Sequence, residues 1–139
     1  MLEHFSLKLI SPNRVVLDLE IKQVNIPAKM GYMGVGARHA GLTCELKTGL
    51  VGVENSKENG GTPLQFFISG GHFQIRSNKA ILLAETVETK EEIDEKRVLE
   101  SEKRACARLK ERANNAKLDL TRALQSLERA RARKQLLKS

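Results

Sequence analysis

Residues 80–99 read Ala80-Ile81-Leu82-Leu83-Ala84-Glu85-Thr86-Val87-Glu88-Thr89-Lys90-Glu91-Glu92-Ile93-Asp94-Glu95-Lys96-Arg97-Val98-Leu99. The first part is a short apolar run of strand character, and from about Glu91 the apolar period becomes helical. All ten glycines and all three prolines lie in residues 1–71, and none occurs from His72 to Ser139. A chain that loses its turn formers where its period changes is built from two kinds of architecture. The boundary expected here leaves a β region over residues 1–88 and a helical region over residues 89–139.

Toward the N-terminus, Val15, Leu17, Leu19 and Ile21 alternate with Val16, Asp18, Glu20 and Lys22, the period of a strand with one buried face. The apolar phase slips to even numbers at Val24 and Ile26, which predicts a bulge or corner near Gln23. Short runs at Leu46 to Val53, Leu64 to Ile68, Phe73 to Ile75 and Ala80 to Val87 are separated by glycine-rich punctuation. This pattern predicts an antiparallel β-sandwich or small barrel. Toward the C-terminus, Leu99, Cys106, Leu109 and Ala113, then Ala116, Leu120, Ala123, Leu127 and Ala130, form one helical stripe that Lys134 interrupts. Asn114-Asn115 is the turn-prone point between two antiparallel helices of about 20 residues each. The alanine-rich stripe buries little area, so the hairpin is expected to be marginal alone.

The net charge of +7 is unevenly placed. Residues 1–88 carry nine basic and eight acidic side chains, whereas residues 89–139 carry fifteen against nine, and residues 121–139 oppose six basic residues with Glu128 alone. An acidic partner follows, unless the charge is only a solvated face. A basic adaptor that binds nucleic acid or an anionic membrane is the rival reading. Against nucleic acid, the basic half has no Phe, Tyr or Trp to stack on bases.

Composition excludes several classes. The chain is too short for a multidomain enzyme, and its longest apolar run, Ala80 to Ala84, is far below the roughly 20 residues of a membrane span. The N-terminus resembles neither a signal nor a transit peptide, so a compartment reached without export is expected unless a presequence has been removed. Cys44 and Cys106 have no disulfide framework around them and are expected to be reduced. His4, His39 and His72 are dispersed and show no metal-ligand spacing. Gly31-x-x-Gly34-x-Gly36 reverses the dinucleotide fingerprint and lacks the Lys-Ser or Lys-Thr of a phosphate loop. Ser69-Gly70-Gly71 is not a nucleophile elbow, because strand signals resume at Phe73. No catalytic residues are expected.

In their order and spacing, several segments resemble the epsilon subunit of bacterial and chloroplast F-type ATP synthases, called delta in mitochondria. They are Gly31-Tyr32-Met33-Gly34-Val35 with His39-Ala40 downstream, Gly49, Ser69-Gly70-Gly71, Leu83-Ala84-Glu85-Thr86, and Ile93-Asp94 at the opening of the first helix. Many relatives read Leu-Pro-Gly-His-Ala-Pro where this chain has Gly36 to Gly41, and Tyr32 replaces a common acidic residue.

The resemblance implies a β-sandwich followed by a helical hairpin, in a non-catalytic rotor subunit present once per complex. Its implied partners are the gamma subunit, the c-subunit ring and the alpha/beta catalytic subunits. It implies a peripheral location on the cytoplasmic face of the inner membrane, or on the stromal or matrix face in an organelle, with proton-driven rotation coupled to ATP synthesis. By loop position Tyr32, Met33 and His39 are the candidates for the c-ring contact. Arg122, Arg129, Arg131, Arg133 and Lys134 are candidates for facing the catalytic head, where the hairpin of many bacterial members blocks ATP hydrolysis.

No cofactor is required, but ATP is a candidate regulatory ligand. Ile93-Asp94-x-x-Arg97-Val98 resembles the Ile/Leu-Asp-x-x-Arg-Ala motif of ATP-binding relatives, and Glu88 stands at the matching upstream position. Arg129 and Arg133, four apart on one helix, are expected to project from a common face, where two guanidinium groups would bind the phosphate oxygens of such a ligand.

Overall fold

The structure, a computed structural model, describes residues 4–54, 64–112 and 120–138. It divides into two compact units, Met1–Thr89 and Lys90–Ser139. The first carries eight strands: β1 (Phe5–Ser11), β2 (Arg14–Ile21), β3 (Gln23–Ala28), β4 (Gly31–Gly36), β5 (Leu42–Glu54), β6 (Leu64–Arg76), β7 (Lys79–Ala84) and β8 (Val87–Glu88). Their order is β2-β1-β7-β6-β5-β3-β4, with β8 added beside β6. Every pairing is antiparallel except β1 with β7, where Leu9 lies beside Leu82 in a parallel ladder.

The alternation seen in the sequence turns one face of each strand inward. Phe5, Leu7 and Leu9 of β1, Val24 and Ile26 of β3, Val51 and Val53 of β5, Phe73 and Ile75 of β6, and Leu82 of β7 join one core. Each fully buried aliphatic or aromatic side chain contributes about 1.5–3 kcal/mol. The slip near Gln23 is real: a bend at Lys22 separates β2 from β3, and Val24 and Ile26 point inward on the far side. The odd-numbered phase of β2 fails at its start, however. A bulge opposite Leu9 and Ile10 shifts the register, so Val15 is 55% exposed and Val16 packs on the core instead.

Ser69-Gly70-Gly71, read as punctuation, lies inside a single thirteen-residue strand. Both glycines have positive φ, 97° and 149°, and a Cβ on Gly71 would collide with the carbonyl oxygen of Leu83. They bend β6 without ending it, because only glycine accepts that backbone and that close approach.

In the second unit, a 3-10 turn at Lys90–Glu92 leads into α1 (Glu95–Arg112), and α2 (Leu120–Lys138) follows. The turn expected at Asn114-Asn115 lies outside the described residues. Asp94 caps α1: its Oδ1 accepts from the N–H groups of Lys96 at 3.0 Å and Arg97 at 3.3 Å, satisfying two of the four orphan donors of a helix start. The stripe on α1 is rotated by one residue from the expected one. Val98 and Ala105 are buried and Leu99 is 40% exposed, whereas on α2 Ala123, Leu127 and Ala130 are buried as the spacing predicts, with Leu136 beyond them. Both cysteines are free, and burial pushes the Cys44 thiol above its ordinary pKa.

Candidate functional site

On the second unit, α1 and α2 run antiparallel and present two features made of the same kind of residue. The first is an ion-pair clasp. Glu102 on α1, with its side chain only 22% exposed, accepts from Lys134 Nζ at 3.2 Å through Oε1, and Arg131 Nε lies 4.0 Å from its Oε2. The lysine that interrupts the apolar stripe is thereby accommodated at the seam.

The second feature is an open groove of about 270 Å³ lined by Ser101, Arg104, Ala105 and Arg108 of α1 and by Ser126, Arg129 and Arg133 of α2. Arg104 donates to Ser101 Oγ and Arg129 to Ser126 Oγ, each at 3.2 Å. These bonds join residues three apart on their own helices and so hold the guanidinium groups over the groove wall. Among the described residues that line it there is no carboxylate. Four guanidinium groups sharing one concavity attract an anion with several oxygens, since each planar fork offers paired N–H donors to a phosphate or carboxylate.

Arg129 and Arg133 therefore share a face, as their spacing predicts, and the structure adds Arg104 and Arg108, which sequence reasoning passed over. Arg104 and Arg108 are also four apart, but that they meet Arg129 and Arg133 in one groove depends on the register between two helices, which no local pattern encodes. Asp94 is exposed and engaged as the α1 cap; Arg97 is exposed one turn into that helix, and Ile93 is half-buried. Glu88 belongs to the first unit, in β8, paired with Phe67. Of the basic residues directed by resemblance to the catalytic head, Arg122 and Arg131 are exposed, and Arg129, Arg133 and Lys134 are half-buried.

On the first unit, the three loop candidates do not form one surface. Met33 and Val35 share the inner face of β4, and Met33 packs against the core. Tyr32, on the opposite face, is 58% exposed, and its hydroxyl accepts from the Leu50 N–H at 3.0 Å. Gly49 permits this latch, because a Cβ there would fall 2.6 Å from the Tyr32 hydroxyl and 2.7 Å from Pro27 Cβ. Met30, at the turn just before β4, is fully exposed and was not singled out by sequence. His39 sits in the loop after β4 with Nδ1 2.8 Å from the Ala40 carbonyl. The preceding Arg38 has positive φ, and its N–H donates to Asn78 Oδ1 at 2.7 Å, tying this loop to the β6–β7 turn.

Comparison with known proteins extends over both units. A family model described as "ATP synthase, Delta/Epsilon chain, beta-sandwich domain" matches residues 4–90. The ATP synthase epsilon chain of Moorella thermoacetica is 37% identical over 128 residues, covering 92% of each chain. The epsilon chain of Bacillus velezensis is 34% identical over 122 residues, covering 88% of each. Among solved structures, a chain in the Euglena gracilis mitochondrial ATP synthase (OSCP/F1/c-ring, rotational state 1) superposes with a TM-score of 0.82, at 22% identity, over 96% of this chain and 81% of that one. The likeness in fold and the identity across both units agree: the chain belongs to the delta/epsilon family of ATP synthase subunits, as a relative of the epsilon chains.

Proposed function

We propose that this subunit is a non-catalytic part of the central stalk that couples proton-driven rotation of the c-ring to ATP synthesis, and that its hairpin restrains ATP hydrolysis. Its partners in this reading are gamma along the β unit, the c-ring at the β3–β4 end, and the alpha/beta head along the hairpin, one copy serving each complex. It lies peripherally on the cytoplasmic face of the inner membrane in a bacterium, or on the stromal or matrix face in an organelle. The exposed pair Met30 and Tyr32 supports the c-ring contact, with His39 in the neighbouring loop and Met33 backing Tyr32 from the core side.

The observation that carries the regulatory part is the basic excess of α2, where Arg122, Arg129, Arg131, Arg133 and Lys134 are opposed by few acids. Single exposed ion pairs contribute only about 0.2–1 kcal/mol, so three reversals are needed for a clear effect. In the assembled enzyme, Arg129→Glu, Arg131→Glu and Arg133→Glu together raise ATP hydrolysis while the subunit stays bound. Unchanged hydrolysis with the triple variant present in the complex rules the inhibitory role out.

ATP is the regulatory ligand of this reading. Arg129 and Arg133, joined by Arg104 and Arg108, hold the phosphate chain, while Asp94 accepts from adenine or ribose beside Ile93 and Arg97. A ligand bound across both helices stabilises the closed hairpin in proportion to its differential affinity and so relieves inhibition. No hydrolysis at this site is expected, since nothing in it activates water. Titration calorimetry of the isolated protein checks it: binding is expected, and is lost in the Arg129→Ala, Arg133→Ala double variant.

A further inference from the structure

The basic residues of α2 are not a uniform solvated face. Residues 121–139 carry six of them. Arg129 and Arg133 line the groove, while Arg131 and Lys134, three apart and so neighbours on the helix surface, come to Glu102 on α1. Glu102 divides its oxygens between these two: Oε1 accepts from Lys134 Nζ at 3.2 Å, and Oε2 lies 4.0 Å from Arg131 Nε. Four of the six are thereby placed at features that α1 helps to form.

Both ends of the shorter contact are shielded, with the Glu102 side chain 22% exposed and that of Lys134 36%. A carboxylate so placed is poorly hydrated, and removing its cation leaves a charge without compensation. To meet a carboxylate on another protein, Lys134 has to leave the seam. Arg131 and Lys134 are not among the residues lining the groove, so the clasp acts whether or not an anion is bound there.

We propose that Glu102 is a built-in competitor for the cations of α2: it holds Arg131 and Lys134 against α1, and an external acidic protein surface takes them only as the clasp opens. Opposite charge draws such a surface to a basic helix. Glu102 offers the same charge from inside the hairpin, already in position, without the entropy lost when two molecules associate. The consequence for ATP hydrolysis rests on the reading in which the hairpin restrains the catalytic head. There Glu102 works against inhibition, because it keeps two of the five basic contacts of α2 occupied.

Binding of poly-glutamate to the full chain at about 0.15 M salt tests the clasp itself. Glu102→Gln keeps the shape and withdraws the charge, and is expected to tighten binding about two- to fivefold, the range of a partly exposed ion pair. Glu100→Gln makes an equal change of net charge at an exposed position of the same helix and is expected to change binding little. With Arg131→Ala and Lys134→Ala in place, Glu102→Gln is expected to add nothing. Equal tightening by the two glutamine variants, meaning net charge alone, overturns the proposal, as does an undiminished effect in the double-alanine background. Should Glu102→Gln lose its helical signal, Glu102→Asp decides in its place, since it keeps the net charge and draws the carboxylate back from both cations. In the assembled enzyme, Glu102→Gln is expected to lower ATP hydrolysis by a similar factor. Tighter poly-glutamate binding with unchanged hydrolysis keeps the clasp and removes the inhibitory reading; unchanged binding removes the clasp whatever hydrolysis does.

Discussion

The β unit and the hairpin are held together by different means. Phe5, Phe66 and Phe73 sit in the β core among leucine, isoleucine and valine, and each strand is tied to its neighbours by main-chain ladders. Among the described residues of the hairpin, the buried positions are Val98, Ala105, Ala123, Leu127, Ala130 and Leu136. Half of them are alanine, and the polar clasp at Glu102 shares the seam. Burial at about 1.5–3 kcal/mol per side chain, summed over the whole core, makes a fixed body. An alanine seam with a few ionic contacts makes one whose stability a ligand or partner can outweigh.

The contrast can be broken most sharply at Phe73. Phe73→Ala is expected to cost about 3–5 kcal/mol, read as a lower urea midpoint for loss of strand signal in the full chain; a cost under about 1 kcal/mol would remove the claim that the β core is tightly packed. On the hairpin, Asp94→Ala withdraws the cap from Lys96 and Arg97 and is expected to cost about 1 kcal/mol of helix stability. Faster exchange of the first-turn amides of α1 reports it. Glu102→Gln comes next, at about 0.2–1 kcal/mol, seen as faster exchange on α2 near Lys134. That difference shrinks as salt rises, because these side chains are partly exposed and screened. If Glu102→Gln costs as much as Phe73→Ala, the hairpin is no softer than the sheet. The smallest effect is expected from ending the chain at Thr89, which leaves the strand signal in place because the β core cluster lies entirely before that residue. A truncated chain without β structure would show that the two units are not separable.

Several of these features are legible locally. The phase change at Val24 and Ile26, the helix start at Asp94 and the inward face of α2 each follow from neighbours a few residues apart, where sterics and hydrogen bonding act directly. The bulge that exposes Val15 is set by pairing with β1, and the exposure of Leu99 follows from the way α1 turns Val98 inward. The continuity of β6 was hidden because glycine serves both to stop a strand and to bend one; the close approach of the Leu83 carbonyl decides between them. At the candidate sites, the i, i+4 spacing disclosed Arg129 and Arg133. The contribution of Arg104 and Arg108 needs the packing of one helix on another. The separation of Tyr32 from Met33 was already implied by strand alternation, once residues 31–36 are known to be a strand.

The parallel pairing of β1 with β7 sets a timetable for synthesis. Leu9 must wait for Leu82, its register partner. At about 5–20 residues per second, that interval is roughly 4–15 s. During it β1 has only β2 beside it in the sheet. On the ribosome the last fifty residues are made after the sheet has the strand it was waiting for, so the basic helices are synthesised later than every described strand.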